Sequence, residues 1–142
     1  MTQCKELGID VRQSTERLDA VIVNKEYDYI LDALFGFSFK GPAREPFQKL
    51  INIMKDVETP IVSVDVPSGW DIEKGDIHQT NFTPNCVVSL TAPKQCMRDF
   101  KGVHYLGGRF VPPSISKKYE LQLPQYPGTE QYLLIENRTV GE

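Results

Sequence analysis

The feature that most constrains this chain is a pair of short apolar runs, each ending in one acid and a tight turn, with an amphipathic stretch between them. The first is Tyr29-Ile-Leu-Asp-Ala-Leu-Phe-Gly-Phe-Ser-Phe-Lys-Gly41 and the second is Pro60-Ile-Val-Ser-Val-Asp-Val-Pro-Ser-Gly-Trp70. Runs such as Tyr29 to Phe35 and Ile61 to Val66, rich in β-branched and aromatic residues, have the form of strands covered on both faces. Between them Phe47, Leu50, Ile51 and Met54 fall at i, i+3, i+4 and i+7, the apolar stripe of one helix over Arg44 to Lys55 with Pro46 near its start. Strand, loop, helix and strand make a βαβ crossover, which is nearly always right-handed and joins parallel strands. The expected fold class is therefore α/β with a largely parallel sheet.

The remaining segments fit around that unit. Thr2 to Ile9 and Ser14 to Val23 have helical composition, with Ser14 placed as a cap. Cys86 to Ala92 reads as a third strand, and Val103 to Phe110 as a further one interrupted at its glycines. Pro112-Pro113 is expected to stop regular structure, and the tail from Ser114 to run extended, ending in a short edge strand at Gln131 to Ile135. With 142 residues, 40% of them hydrophobic and 25% charged, the chain suits one domain and is too short for two.

Composition also excludes function classes. A net charge of -3 lacks the basic face of a nucleic-acid binder. Cys4, Cys86 and Cys96 are odd in number and form no C-x-x-C pair, so they read as reduced thiols. No apolar run approaches the roughly 20 residues of a membrane span, and the first residues carry acids with no apolar core of a signal peptide. Asn81-Phe-Thr83 and Asn137-Arg-Thr139 match the glycosylation triplet and, without a secretory signal, carry no weight.

The chemistry gathers at the strand ends. In an open parallel sheet, ligands bind outside the carboxyl ends of the strands, so Asp32 and Asp65, at matching positions, imply one shared cleft. An acid within an apolar run is costly unless it is paired, hydrogen-bonded or metal-bound, and the plain alternative is an acid that caps its own loop. The loop Gly36-Phe-Ser-Phe-Lys-Gly41 offers backbone amides, a hydroxyl and an ammonium to a phosphate or a ribose hydroxyl, or else is a simple βα connection. It is not a Walker loop, because Lys40 precedes the second glycine and Pro42 follows it.

Ser68 lacks the G-x-S-x-G context and the histidine base of a nucleophile, so it reads as a turn former or a hard oxygen ligand beside Asp32, fit for a monovalent cation. His78 and His104 read as ordinary surface or core groups. Trp70, Phe37 and Phe39 either stack on a flat ring or close the core. Lys94 either meets a phosphate or is solvated.

Four motifs in order carry a resemblance: D-A-L-F-G-F-S-F-K-G from Asp32, S-V-D-V-P-S-G-W from Ser63, S-L-T-A-P-K from Ser89 and H-Y-L-G-G-R-F-V-P-P from His104. Together they closely resemble the eukaryotic NAD(P)H-hydrate epimerases, the YjeF N-terminal-type domain, whose animal members are also called apolipoprotein A-I-binding proteins. The resemblance implies a Rossmann-like three-layer α/β/α fold and a nucleotide-repair reaction, epimerisation of the R form of hydrated NADH or NADPH to the S form. By motif position it implies that Asp32 is both a potassium ligand and the acid/base, and that Ser68 is a second potassium ligand. Gly36, Phe37, Ser38, Phe39, Lys40, Gly41 and Pro42 match the substrate-binding loop, and Asp65 a substrate-contacting acid.

It also implies a homodimer and, as the alternative to catalysis, a non-catalytic module that binds apolipoprotein A-I. A mitochondrial, cytoplasmic or secreted location stays open. The family's domain carries a G-x-G-N-N-G-G-D-G loop whose asparagine ligates potassium, and this sequence has none. The expectation is that residues 1–142 are the carboxyl-terminal part of a single such domain, incomplete at its amino-terminal side, that binds the hydrated nucleotide weakly and turns it over little.

Overall fold

The computed structural model describes residues 2–12 and 14–135. Its centre is a five-stranded sheet in the order β1-β2-β3-β4-β5, made of Ile30–Asp32, Ile61–Val64, Cys86–Leu90, Val103–Gly107 and Leu133–Leu134. The first four strands are parallel and β5 is antiparallel to β4. Helix α1 spans Thr2–Glu6, α2 Ala20–Glu26, α3 Phe47–Asp56 and α4 Pro113–Lys118, with a 3₁₀ turn at Gln95–Met97.

Helix α3 is the crossover between β1 and β2, as its apolar stripe predicts. Ile51 and Met54 are buried against Ile61 and Phe82, with Ile30, Leu34 and Phe35 packed around them. The next crossover is covered by a second cluster, in which Val87 of β3 meets Cys96 and Met97 of the 3₁₀ turn, Val66 and Phe100. Both clusters lie on the sheet face defined by register, where Asp32 pairs with Ser63 and Ser63 with Val87. On that face Asp32, Ile61, Ser63, Val87, Ser89, His104 and Leu106 are all buried.

The opposite face is more open. Val62, Val64, Val88 and Leu90 are half-buried, and Leu31 is 67% exposed. Strand runs without polar alternation predict cover on both faces; the described residues give the deep cover to one.

Three local readings change. Ser14 does not cap the second helix; its Oγ accepts the Glu16 N–H at 3.2 Å in a separate turn. Helix α2 starts after Asp19, whose carboxylate accepts the Ile22 N–H at 2.9 Å, the geometry an N-cap needs. Pro112-Pro113 begins a helix, because Pro113 stands in the first turn, where a missing N–H costs nothing. The expected edge strand at Gln131 to Ile135 forms only at Leu133–Leu134, extended by the Ile135 N–H to His104 O bond of 2.8 Å. The Asn137 triplet lies outside the described residues. No described helix is long and apolar enough to cross a membrane.

Candidate active site

The parallel strands β1, β2 and β3 end side by side, and their loops meet there. Asp32 is the last residue of β1 and 1% exposed. Its Oδ2 accepts the Ser63 hydroxyl at 2.7 Å, from the residue paired with it on β2, and the Ser68 N–H at 2.9 Å. Its Oδ1 is the one buried side-chain oxygen or nitrogen without a partner among the described residues. The Ser68 hydroxyl in turn accepts the Phe35 N–H at 3.1 Å. Asp32 therefore carries the turn after β2, and that turn carries the start of the loop after β1.

Asp65 completes a reciprocal arrangement. It follows β2 with φ at 72°, a left-handed conformation uncommon for a residue with a side chain. Its Oδ2 accepts the Phe37 N–H at 2.9 Å, so the acid of the second strand holds the loop of the first. A Cβ at Gly36 would stand 3.2 Å from that oxygen, a tight contact that the carboxylate would have to relieve by shifting. Oδ1 forms an ion pair with Lys94, whose ammonium also donates to Leu90 O at 3.0 Å and Ala92 O at 3.1 Å. Lys94 thus has its three N–H donors engaged by protein acceptors, Asp65, Leu90 O and Ala92 O, rather than left to solvent or a phosphate.

Both acids accept backbone N–H groups, as loop caps do. What sets Asp32 apart is its unpartnered second oxygen, because a buried carboxylate oxygen without a donor costs free energy unless a ligand supplies one. Asp65 instead lines a cavity of about 550 Å³ with Phe37, Leu90, Thr91, Lys94 and Phe110. Thr91 sits there at φ 67°, an outlier for a β-branched residue, so two strained residues end adjacent strands at this cavity. A smaller pocket of about 360 Å³ shares Thr91 and is lined by Arg109 and Tyr126. Arg109 there straps the tail, reaching Gly128 O at 3.1 Å and Glu130 O at 3.2 Å.

Within the predicted loop, Gly36 and Phe37 touch Asp65, and Phe37 is exposed at the cavity rim. Phe39 faces inward instead, stacked on Phe35 with centroids 4.1 Å apart. Ser38, Lys40 and Pro42 are exposed and Gly41 takes φ 81°. Trp70 closes the core, its Nε1–H donating to Phe82 O at 2.9 Å. His104 is a core group bonded to the Ser89 hydroxyl at 2.9 Å. Burial pushes the Cys96 thiol up to about 11 and raises Cys86 too, which leaves both as poor nucleophiles.

Ser63 and Thr91 were not singled out from the sequence. Ser63 has a signal in the sequence: it is a hydroxyl residue inside the apolar run Ile61 to Val66, two positions before Asp65. Thr91 has none, since backbone strain is set by its loop.

The model of the YjeF-related protein N-terminus matches residues 1–96, which is more than half of the chain. The chain belongs to the YjeF-related N-terminal family. Among relatives, a protein of the fungus Puccinia graminis f. sp. tritici named NAD(P)H-hydrate epimerase is 50% identical over 135 residues, covering 95% of this chain and 55% of that protein. A crystal structure of the yeast protein ynu0 superposes with a TM-score of 0.83 at 38% identity, covering 94% of this chain and 58% of that one. The chain thus spans little more than half the length of these YjeF-family relatives. Within the YjeF-family sheet, Asp32 and Asp65 stand at neighbouring parallel strand ends, where α/β sheets bind ligands.

Proposed function

We propose that this chain carries the strand-end carboxylates of an NAD(P)H-hydrate epimerase site, at which the R form of hydrated NADH or NADPH becomes the S form. The observation that carries the reading is Asp32, buried at the end of β1 with Oδ2 locked by Ser63 and Ser68 and Oδ1 unpartnered. The name of the fungal relative, at 50% identity, supports the substrate class.

Inverting the hydrated carbon requires a bond there to open and re-form on the other face, through loss and return of water or through ring opening. Either path moves a proton onto an oxygen or nitrogen and back, with no net change in atoms. Asp32 Oδ1 suits that work, because the opposite oxygen is immobilised and the carboxylate cannot swing away. Phe37 at the cavity rim and Asp65 beneath it hold the rest of the nucleotide, with Asp65 accepting hydrogen bonds from its hydroxyls.

The donor set also fits potassium. Carboxylate and hydroxyl oxygens suit hard cations, and Asp32 Oδ1 with the Ser68 hydroxyl would supply two such ligands. Bound there, the ion would offset the charge of Asp32 and draw substrate oxygens into place. Asp32 and Ser68 make part of a coordination shell, so further ligands come from backbone, solvent or substrate.

The test follows R-hydrate consumption chromatographically, with S-hydrate captured by a coupled dehydratase. Asp32→Asn is expected to slow conversion by about 10²-fold or more. Potassium in place of choline is expected to raise the melting temperature of the wild type and leave Asp32→Asn unmoved, by binding linkage. Equal conversion by wild type and Asp32→Asn sinks the catalytic assignment. Binding of apolipoprotein A-I without conversion favours the non-catalytic reading.

A further inference from the structure

We infer that Lys94 is a positioning residue that makes Asp65 a selective acceptor for the vicinal hydroxyls of a ribose. The inference rests on the nucleotide reading above and adds a residue and a specificity to it.

Four observations meet at Asp65. Its backbone sits at φ 72°, so the side chain leaves β2 toward the strand-end loops. Each carboxylate oxygen takes one donor from the protein, Oδ2 from the Phe37 N–H and Oδ1 from the Lys94 ammonium. The carboxylate plane is therefore defined by two groups on two different loops. Asp65 and Lys94 both line the cavity of about 550 Å³, whose other walls are largely apolar, Phe37, Leu90 and Phe110 among them.

A carboxylate has about four lone-pair sites, so after these two bonds one remains on each oxygen. Two acceptor sites side by side on a fixed plane match a pair of neighbouring hydroxyls and give a bidentate contact. A lone phosphate is repelled by the same group. Lys94 does not compete for the ligand, because its three donors are spent on Asp65, Leu90 O and Ala92 O. Those two carbonyls also tether it to the end of β3, so Lys94 transmits the position of β3 to the acid of β2. Without it, Asp65 keeps only the Phe37 N–H on Oδ2 and can rotate about its χ angles.

The prediction concerns discrimination. The probes are the hydrate of reduced nicotinamide mononucleotide, which carries one ribose, and its 2′-deoxy analogue, measured by calorimetry on the whole chain. Wild type is expected to prefer the ribose form by about tenfold or more, the worth of a hydrogen bond to a charged group. Lys94→Met is expected to bring the ratio close to one, and Lys94→Arg to restore part of it. In the Asp65→Asn background, Lys94→Met is expected to change the ratio no further, since Lys94 acts through that carboxylate. Circular dichroism of each variant establishes that it is folded, and the ratio is internal to each protein, so a uniform loss of stability does not move it. A folded Lys94→Met protein that keeps the wild-type ratio overturns the role of Lys94 and leaves the nucleotide reading standing. A wild type that binds the ribose form without preference overturns the hydroxyl selectivity. A wild type that binds neither probe overturns the nucleotide reading and this inference with it.

Discussion

At the scale of single residues, the polar groups on the buried face of the sheet divide into two pairs with different consequences. Asp32 with Ser63 belongs to the candidate site, whereas Ser89 with His104 is a closed pair inside the core. Burial lowers the pKa of His104 below its ordinary 6.5, because the charged ring would lose water without gaining an anion. Protonation therefore favours the unfolded chain, where the ring titrates normally. This contribution is complete above about pH 6.5 and is lost as pH falls toward the depressed folded value, with a slope of at most about 1.4 kcal/mol per pH unit. Urea midpoints measured from pH 7.5 down to 5.5 are expected to fall, and His104→Gln to flatten the fall by its share. A His104→Gln curve parallel to the wild type would show that the ring is not buried neutral. Asp32 and Asp65 were both visible in the sequence as acids at strand ends. Which of their oxygens stays free was not, because it depends on donors tens of residues away.

Among the elements, the turn after β2 does the most to assemble the site. Val66-Pro67-Ser68-Gly69 is buried throughout and brings the Ser68 N–H onto Asp32 while Gly69 takes φ 91°. A side chain at Gly69 would meet Thr80 Cγ2 at 2.9 Å and Ile51 Cδ1 at 3.2 Å, in a backbone region that L residues avoid. Gly69→Ala is expected to cost about 1–3 kcal/mol in denaturant unfolding, from left-handed strain and overpacking together. A loss below a few tenths of a kcal/mol would mean that the turn relaxes freely. The glycine and its proline were legible as a turn. The contact that makes the glycine obligatory was not, since Ile51 arrives from α3 and Thr80 from a later loop. Helix α3 shows the opposite case: its 3.6-residue apolar stripe is a local property, and its burial follows the stripe. The tail shows why local reading fails at prolines: Pro112-Pro113, expected to stop regular structure, starts α4 instead.

For the whole molecule, the sheet is deeply packed on one face and carries an unpaired edge at β1 among the described residues. Tyr29 and Leu31 are exposed there at 72% and 67%, beside the half-buried Val62 and Val64. An apolar strand edge of this kind templates further pairing. The 142-residue chain is expected to bind a hydrophobic dye and to self-associate as its concentration rises, and Leu31→Lys to suppress both. A monomeric, dye-silent wild type with a sharp two-state melt would refute that view of the edge. The βαβ unit, the parallel sheet and the two strand-end acids follow from the sequence alone, because hydrophobic period and strand-end position are properties of contiguous residues. The tertiary structure alone decided the exchange of loops between Asp32 and Asp65, the capture of Lys94 by Asp65, the free Oδ1 of Asp32 and the one-sided burial. Each of these depends on strand register and on which distant donors arrive at a carboxylate, and no local pattern encodes the geometry of groups that meet only after the chain has folded.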